Sequence, residues 1–345
     1  MSGRLSMRTT LAGGFALLLS SLVVGAASGA YAISGSQLMG VFASIWQGGA
    51  DPSPEYLVFV NIRLPRLVLG VAAGAGLGMA GALMQGLFRN PLADPGLIGI
   101  SSGAALAAGV TIVLGAWLMP VLPRSLGSWT LVSMAFGGGF LVTLLIYGLS
   151  RSEGSTRMAL MLLAGIAINA LAGAGLGFLS VMASDEQLRS LQFWLLGSLG
   201  GARWSAVGLV GAIVLVALGA GLALAAPLNA IALGEAQATL LGVDVERVKR
   251  RAILVTAFAV GAVTATTGII GFVGLIAPHW VRLVAGPDHR VVLPGSALLG
   301  AVLVLAADTV ARTVMAPTEL PLGVLTAFIG VPMFLLMLRH FRGRL

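Results

Sequence analysis

RLVLGVAAGAGLGMAGALMQGLFR, residues 66–89, begins and ends on arginine and has no charge in between. A membrane-crossing helix needs about 20 such residues, so this stretch reads as one span, at 66–87. Working outward, nine more apolar runs read the same way, at roughly 11–33, 96–118, 127–149, 158–182, 204–226, 250–269, 270–285, 291–313 and 321–338. Of the 345 residues, 58% are hydrophobic and only 9% are charged, and the mean hydropathy is +1.01. No soluble fold hides that much apolar surface, which excludes a cytosolic enzyme, a nucleic-acid binder and a secreted module. The expected fold is an all-α, polytopic, single-domain membrane protein with ten transmembrane helices. The run at 270–285 is short and contains Pro278, so irregular backbone is expected there, tolerated only where protein or a cavity covers it. The stretch 188–200 is too brief to span and reads as a re-entrant or interfacial helix.

Charge sets the topology. The net charge is +8, from 20 basic and 12 acidic residues. With the N-terminus inside, only Arg63, Arg66, Arg124, Arg189, Arg203 and Arg312 fall on outer segments, and the other fourteen basic residues fall inside. By the positive-inside rule both termini are cytoplasmic. Trp46, Trp117, Trp129, Trp194 and Trp204 all fall on the outer side, as an interfacial aromatic belt would. Arg4 and Arg8 precede the run Leu11–Val24, and Ala30-Tyr31-Ala32 resembles a signal-peptidase site; the preferred reading is an uncleaved first span. Gly70, Gly74, Gly76 and Gly78, and again Gly173, Gly175 and Gly177, read as tight helix packing in lipid, with a smooth path for a bulky substrate as the alternative. Cysteine is absent, which removes disulfides and thiolate metal sites.

The chain has no evident energy source. Its only lysine, Lys249, lies in Glu246–Arg251 (ERVKRR) and lacks the glycines and hydroxyl residue of a phosphate-binding loop. Asp308 is the only acid well inside a span, and Arg312, four residues on, can pair with it along the helix. His279, His289 and His340 are widely spaced and form no metal-ligand pattern. Between spans, LNAIALGEAQATLLGVDVERVKRR at 228–251 is either a solvated loop or a docking helix for a cytoplasmic partner. Arg63-Leu64-Pro65-Arg66 is either a membrane-interface anchor or a pair of guanidinium forks for external carboxylates.

Those segments carry a resemblance. RLPR at 63–66, GALMQGLFRNPLADPGLIGISSGA at 81–104, LGEAQATLLGV at 233–243, GIIGFVGLIAPHWVR at 268–282, DHRVVLPGSALLGA at 288–301, ADTVAR at 307–312 and ELPLGVLTAFIGVP at 319–332 occur in one order. From about residue 55 to 340 the chain resembles the FecCD-type permeases of ATP-binding-cassette importers for haem, iron–siderophores and vitamin B12. The resemblance implies the type II importer fold, ten helices per subunit in a homodimer, with the path along the dimer axis. It implies that Gly234, Glu235 and Ala236, through Leu240, Leu241 and Gly242 to Val243, form coupling helices that dock on two cytoplasmic ATP-binding subunits, the coupling region being about 228–250. It implies that Arg63, Arg66 and Arg312 face the periplasm and pair with acids of a substrate-binding protein. Asn90 and Leu92 match the cytoplasmic gate region. At the gate position of the fifth span stand Met158 and Ala159, where B12 members have small hydroxyl residues, so a hydroxyl-lined gate is not expected. The path is implied at about 161–200, where Asn169 is the main polar side chain at membrane depth.

The path segment is rich in Gly, Ala, Leu and Met, which suits a flat apolar ligand, and LLGSLGG at 195–201 most resembles the haem permeases. The expected function is a permease moving haem across the bacterial inner membrane. The chain itself is expected to bind no cofactor or metal, with ATP and Mg on the partner subunits; siderophore or B12 is the alternative cargo. None of the three histidines falls within 161–200, so axial ligation of haem by this chain is not expected. An ion-coupled secondary transporter and a membrane-embedded enzyme are the competing classes. The first would work without any ATPase, and the second lacks a catalytic constellation.

Overall fold

A computed structural model describes residues 5–29, 31, 33–48, 53–118, 124–152, 154–316 and 318–342. Arg4, Ala30, Ala32 and Arg344, and the side chains of Arg124, His340 and Arg342, lie outside the described set. The helices, in order, are α1 (Met7–Ala27), α2 (Gly35–Trp46), α3 (Pro54–Val58), α4 (Leu64–Leu87), α5 (Ile100–Val113), α6 (Gly115–Leu118), α7 (Thr130–Leu149) and α8 (Met158–Met182). They continue with α9 (Asp185–Leu196), α10 (Trp204–Leu222), α11 (Ala225–Leu233), α12 (Glu235–Leu240), α13 (Val245–Thr267), α14 (Val273–Ala285), α15 (His289–Thr313) and α16 (Leu322–Arg342). Every apolar run expected to span is occupied by a helix. Among the described residues, seven helical stretches are long and apolar enough to cross a membrane, while α5 and α14 are shorter apolar helices. The N-terminal turns of α13 hold Glu246, Arg247, Lys249, Arg250 and Arg251, so only its later part is apolar.

The core is built on glycine. A Cβ on Gly78 would lie 2.0 Å from the Ser296 carbonyl oxygen, one on Gly74 2.3 Å from that of Gly300, and one on Gly300 2.2 Å from that of Gly74. Thus α4 and α15 meet backbone to backbone, the close approach that small residues permit in lipid. Gly81 sits equally tightly on Gly274 of α14, and Gly103 of α5 on Gly138 of α7. The first glycine run is therefore packing. The second departs from that expectation: Gly173 and Gly177 on α8 have nothing within reach of a Cβ, and only Gly175 meets a side chain, Leu106.

The expected irregularity falls just before Pro278 rather than at it. Pro278 lies inside a continuous α14, whereas residues 268–272 are non-helical, with Phe272 at φ 66°. That backbone is covered by protein, as membrane depth requires. A Cβ on Gly197 would strike the Ile269 carbonyl, Ser198 N–H donates to the Thr267 carbonyl at 2.7 Å, and Leu322 N–H donates to the Gly197 carbonyl at 2.9 Å. The ends of α9, α13 and α16 are thereby tied together.

Of two short helices, α2 was not anticipated and α9 was. α2 begins on a capping box in which Ser34 and Gln37 satisfy each other's backbone N–H groups; the Ser-x-x-Gln pattern is its sequence signature. α9, over the stretch read as re-entrant or interfacial, begins on the same device at Ser184 and Gln187. A π-helical turn, Phe59–Arg63, joins α3 to α4.

The glycine contacts set a test. Gly78→Ala, forced against backbone that cannot move aside, is expected to cost at least about 1–3 kcal/mol. Gly173→Ala, in open space, should stay within about 0.5 kcal/mol. Unfolding of the detergent-solubilised chain by SDS titration measures both.

Candidate functional site

The expected site residues segregate to opposite ends of the helix assembly. At one end lies the 228–250 region. α11 and α12 meet at Gly234, whose φ of 130° and tight contact with the Gln237 side chain suit only glycine. α12 closes in a Schellman motif: Val243 N–H donates to the Ala238 carbonyl at 3.0 Å, Gly242 N–H donates to that of Thr239 at 2.9 Å, and Gly242 has φ 81°. Ala238 is buried beneath, with Val243 packed against the same core, and Ala236 is exposed. Leu233, Leu240 and Leu241 point outward, Leu240 with 88% of its surface exposed.

This projection is braced by Lys249, which is buried. Its Nζ donates to Glu235 Oε2 at 2.8 Å and to the Thr156 carbonyl at 2.9 Å, and it lies 3.2 Å from Glu246 Oε1. Glu246 in turn accepts from the Thr156 N–H and hydroxyl at 2.9 and 2.7 Å. α12, α13 and the short antiparallel strand pair Arg151–Ser152 and Ser155–Thr156 are thus one unit. Glu235 is spent on this brace, and the two leucines are the surface. Sequence reading set Lys249 aside because no phosphate loop surrounds it; its being the only lysine, three residues after Glu246 on a helix, was the available signal.

The same end carries the turn at 88–94. Arg89 is left-handed at φ 49°, Asn90 Oδ1 accepts from Leu92 N–H at 2.9 Å, and Ala93 N–H returns to the Asn90 carbonyl. Asn90 therefore shapes its own loop, with its residue surface exposed and Leu92 half-buried. Met158 packs against the core and Ala159 is exposed, in the first turn of α8. Asn169 is not presented free to a path: Ser102 Oγ donates to its Oδ1 at 2.5 Å, and its Nδ2 donates to the Gly96 carbonyl at 3.3 Å. It fastens α8 to the turn before α5. Gly165, one helical turn earlier, does the same by lying against the Leu97 carbonyl.

At the opposite end the structure gathers Arg63, Arg66 and Arg312, but not as exposed forks. They are 4%, 7% and 6% exposed. A helix end leaves its last carbonyls without partners, and the end of α1 finds them here. Arg63 donates to the carbonyls of Ala26, Ala27 and Tyr31, and Arg312 to those of Gly25 and Ser28. Arg66 holds Asp308 through Nε and Nη2 at 3.0 and 2.9 Å, and Glu319 through Nη1 and Nη2 at 2.7 and 2.9 Å. Arg312 Nε lies 3.3 Å from Asp308 Oδ2, the expected pairing along the helix. The acids that Arg66 and Arg312 meet in this structure belong to this chain. Sequence reading missed Glu319, which lies in the connection between α15 and α16; the Arg66 guanidinium holds its carboxyl below the usual carboxylate range.

Two outcomes follow. Arg66→Gln leaves Asp308, 1% exposed, with half its pairing, and should destabilise the chain by about 3–5 kcal/mol, whereas Glu319→Gln should cost no more than about 1 kcal/mol. Because the folded-state value of Glu319 is lowered, its contribution is complete above the ordinary carboxylate range and is lost as pH falls below it. Melting temperature should drop in that acid window in the parent and drop less in Glu319→Gln.

Comparison with known proteins identifies the family. The profile of the FecCD transport family matches residues 16–340. The hemin transport system permease protein HmuU of Yersinia pestis is 45% identical over 337 residues, covering 97% of this chain and 96% of that protein. The cobalamin import system permease protein BtuC of Halobacterium salinarum is 44% identical over 289 residues, covering 84% and 75%. A solved structure described as an inward-facing conformation of a metal-chelate type ABC transporter superposes with TM-score 0.83 at 29% identity, covering 96% of this chain and 99% of that one. With a profile matched over nearly its whole length and relatives this similar, the chain belongs to the FecCD transport family of ABC-transporter permeases.

Proposed function

We propose that this chain is the membrane subunit of an importer that moves haem across the bacterial inner membrane, working as a homodimer of ten helices per copy with cytoplasmic termini. Two ATP-binding subunits drive it from the α12 side, and a periplasmic binding protein delivers cargo to the arginine end. The observation that carries the reading is the leucine-tipped α12. An apolar tip at the charged end of a membrane protein is costly to leave in water, and this one is rigidly held by the Lys249 brace and the Schellman cap. A chain without a nucleotide site needs such a contact to receive work.

The cargo assignment rests on the near full-length likeness to a protein named for hemin transport. It also rests on α8 and α9, which expose Leu163, Leu171, Phe178, Val181 and Phe193, an apolar surface fit for a flat hydrophobic ligand once a second copy faces it. Translocation involves no covalent step; Asn90, Leu92, Met158 and Ala159 lie at the ATPase end, where a gate must close. Because the arginines are engaged within the chain, their proposed part in binding-protein docking is to hold the ends of α1, α4 and α15 in place beneath the docking surface. Cobalamin is the second reading, favoured by the BtuC likeness.

The test is uptake by the purified assembly in liposomes. Haem should accumulate in an ATP-dependent manner in preference to cobalamin and ferric siderophores; equal or better uptake of either rival changes the assigned cargo. Leu240→Asp with Leu241→Asp should release the ATPase in co-purification and cut uptake at least tenfold, with the helical content of the chain unchanged. Retained association would refute the docking role of α12.

A further inference from the structure

A groove of about 420 Å3 runs between α10 and α13, lined by Ile213, Val216 and Ala217 on one side and Leu254, Val255 and Phe258 on the other. Its lining is wholly apolar, and none of it belongs to α8 or α9, where the transport path is proposed. Phe258 is anchored from behind by Phe136 and Phe140 of α7, with ring centroids 5.9 and 5.1 Å away. The groove is therefore a fixed surface feature.

What sets it apart from any greasy face is the end of α13 below it. Arg250 stands four residues before Leu254, and Arg251 four before Val255, so each lies one turn below a groove residue on the same face. Arg247 continues that face another turn down. At about 1.5 Å per residue, Arg251 lies about 4.5 Å below Leu254, and Arg247 about 16 Å below Phe258. Arg250 and Arg251 are exposed and have no ion-pair partner among the described residues. The charges nearby are otherwise committed: Arg247 to Asp244 at 3.2 Å, and Lys249 to Glu235 and Glu246. Two free guanidinium groups at the polar end of an apolar groove match one occupant, a chain of hydrocarbon ending in a phosphate. Guanidinium forks suit phosphate oxygens, and basic pockets between membrane helices select anionic lipid head groups.

We propose that the α10–α13 groove is a binding site for an anionic phospholipid, with one acyl chain along Val216, Leu254 and Phe258 and the phosphate held by Arg250 and Arg251. Such a lipid would wedge the root of α13, the helix that carries the Lys249 brace of α12, so the composition of the surrounding membrane would bear on the stiffness of that unit. The inference does not depend on which cargo the permease carries.

Native mass spectrometry of the full chain in detergent, titrated with dioleoyl-phosphatidylglycerol or dioleoyl-phosphatidylcholine, tests it. The parent should retain the glycerol lipid over the choline lipid, and Arg250→Gln with Arg251→Gln should cut that preference on the order of tenfold. Arg151→Gln, an exposed arginine elsewhere at the same end, should leave it intact. Ala217→Phe, which fills the groove and spares the arginines, should weaken retention of both lipids. Equal retention of the two lipids by the parent, an equal loss in Arg151→Gln, or a groove-filled variant that binds as before would each overturn the proposal. So would a double-glutamine variant that keeps its lipid but loses the ATP-binding subunit, which would assign the arginine pair to the protein partner instead.

Discussion

The contact on which the rest of this molecule depends is the meeting of α4 and α15 without side chains between them. Gly74 and Gly78 lie against Gly300 and Ser296 so closely that no Cβ fits. In lipid, helices gain nothing from merely hiding apolar surface from one another, because the surrounding acyl chains are equally apolar. Close backbone approach, with its many dispersion contacts, is what remains. It makes α4 the axis of the structure, packed on α15, α14, α13 and α10.

Once that axis is set, its two ends acquire different tasks. One end brings Arg66 to Asp308 on α15 and leaves Arg63, in the turn before α4, and Arg312 of α15 to satisfy the carbonyls at the end of α1. Three buried cations at a membrane face would be prohibitive alone; here every one has acceptors supplied by this chain. At the other end Gln85 reaches the Leu275 carbonyl and Arg282, and Asn229 holds the N-terminus of α15 through His289 and Asp288. The rigid core thus stops at a rim of polar contacts on which α11 and α12 stand.

The α8–α9 region is built differently. Two of its four glycines face open space, several of its large apolar residues are exposed, and it is fastened to the core at Gly165, at Asn169 and at the two ends of α9. A segment so held at a few points, beside a core held along its whole length, is where the opening and closing of a path would cost least.

By itself the sequence determined the membrane class, the position of every long helix and the place of the α12 projection, because uncharged runs and glycine-bounded turns are local properties and need no partner to be read. The pairing of Asp308 with Arg312 was local in the same sense, the two lying about one helical turn apart. Only the tertiary structure decided what the charges and glycines do. Arg63 and Arg66 looked equally like anchors or docking forks, since their acceptors on α1, α15 and the connection before α16 lie far away in the chain. Two glycine runs of similar wording became a packed seam on α4 and a largely open face on α8, because the carbonyls that fill the first come from α15, while the second is met only at Gly175, by the Leu106 side chain. Lys249 lacked any motif and still became the brace of α12, because Thr156, 93 residues earlier, folds back to meet it.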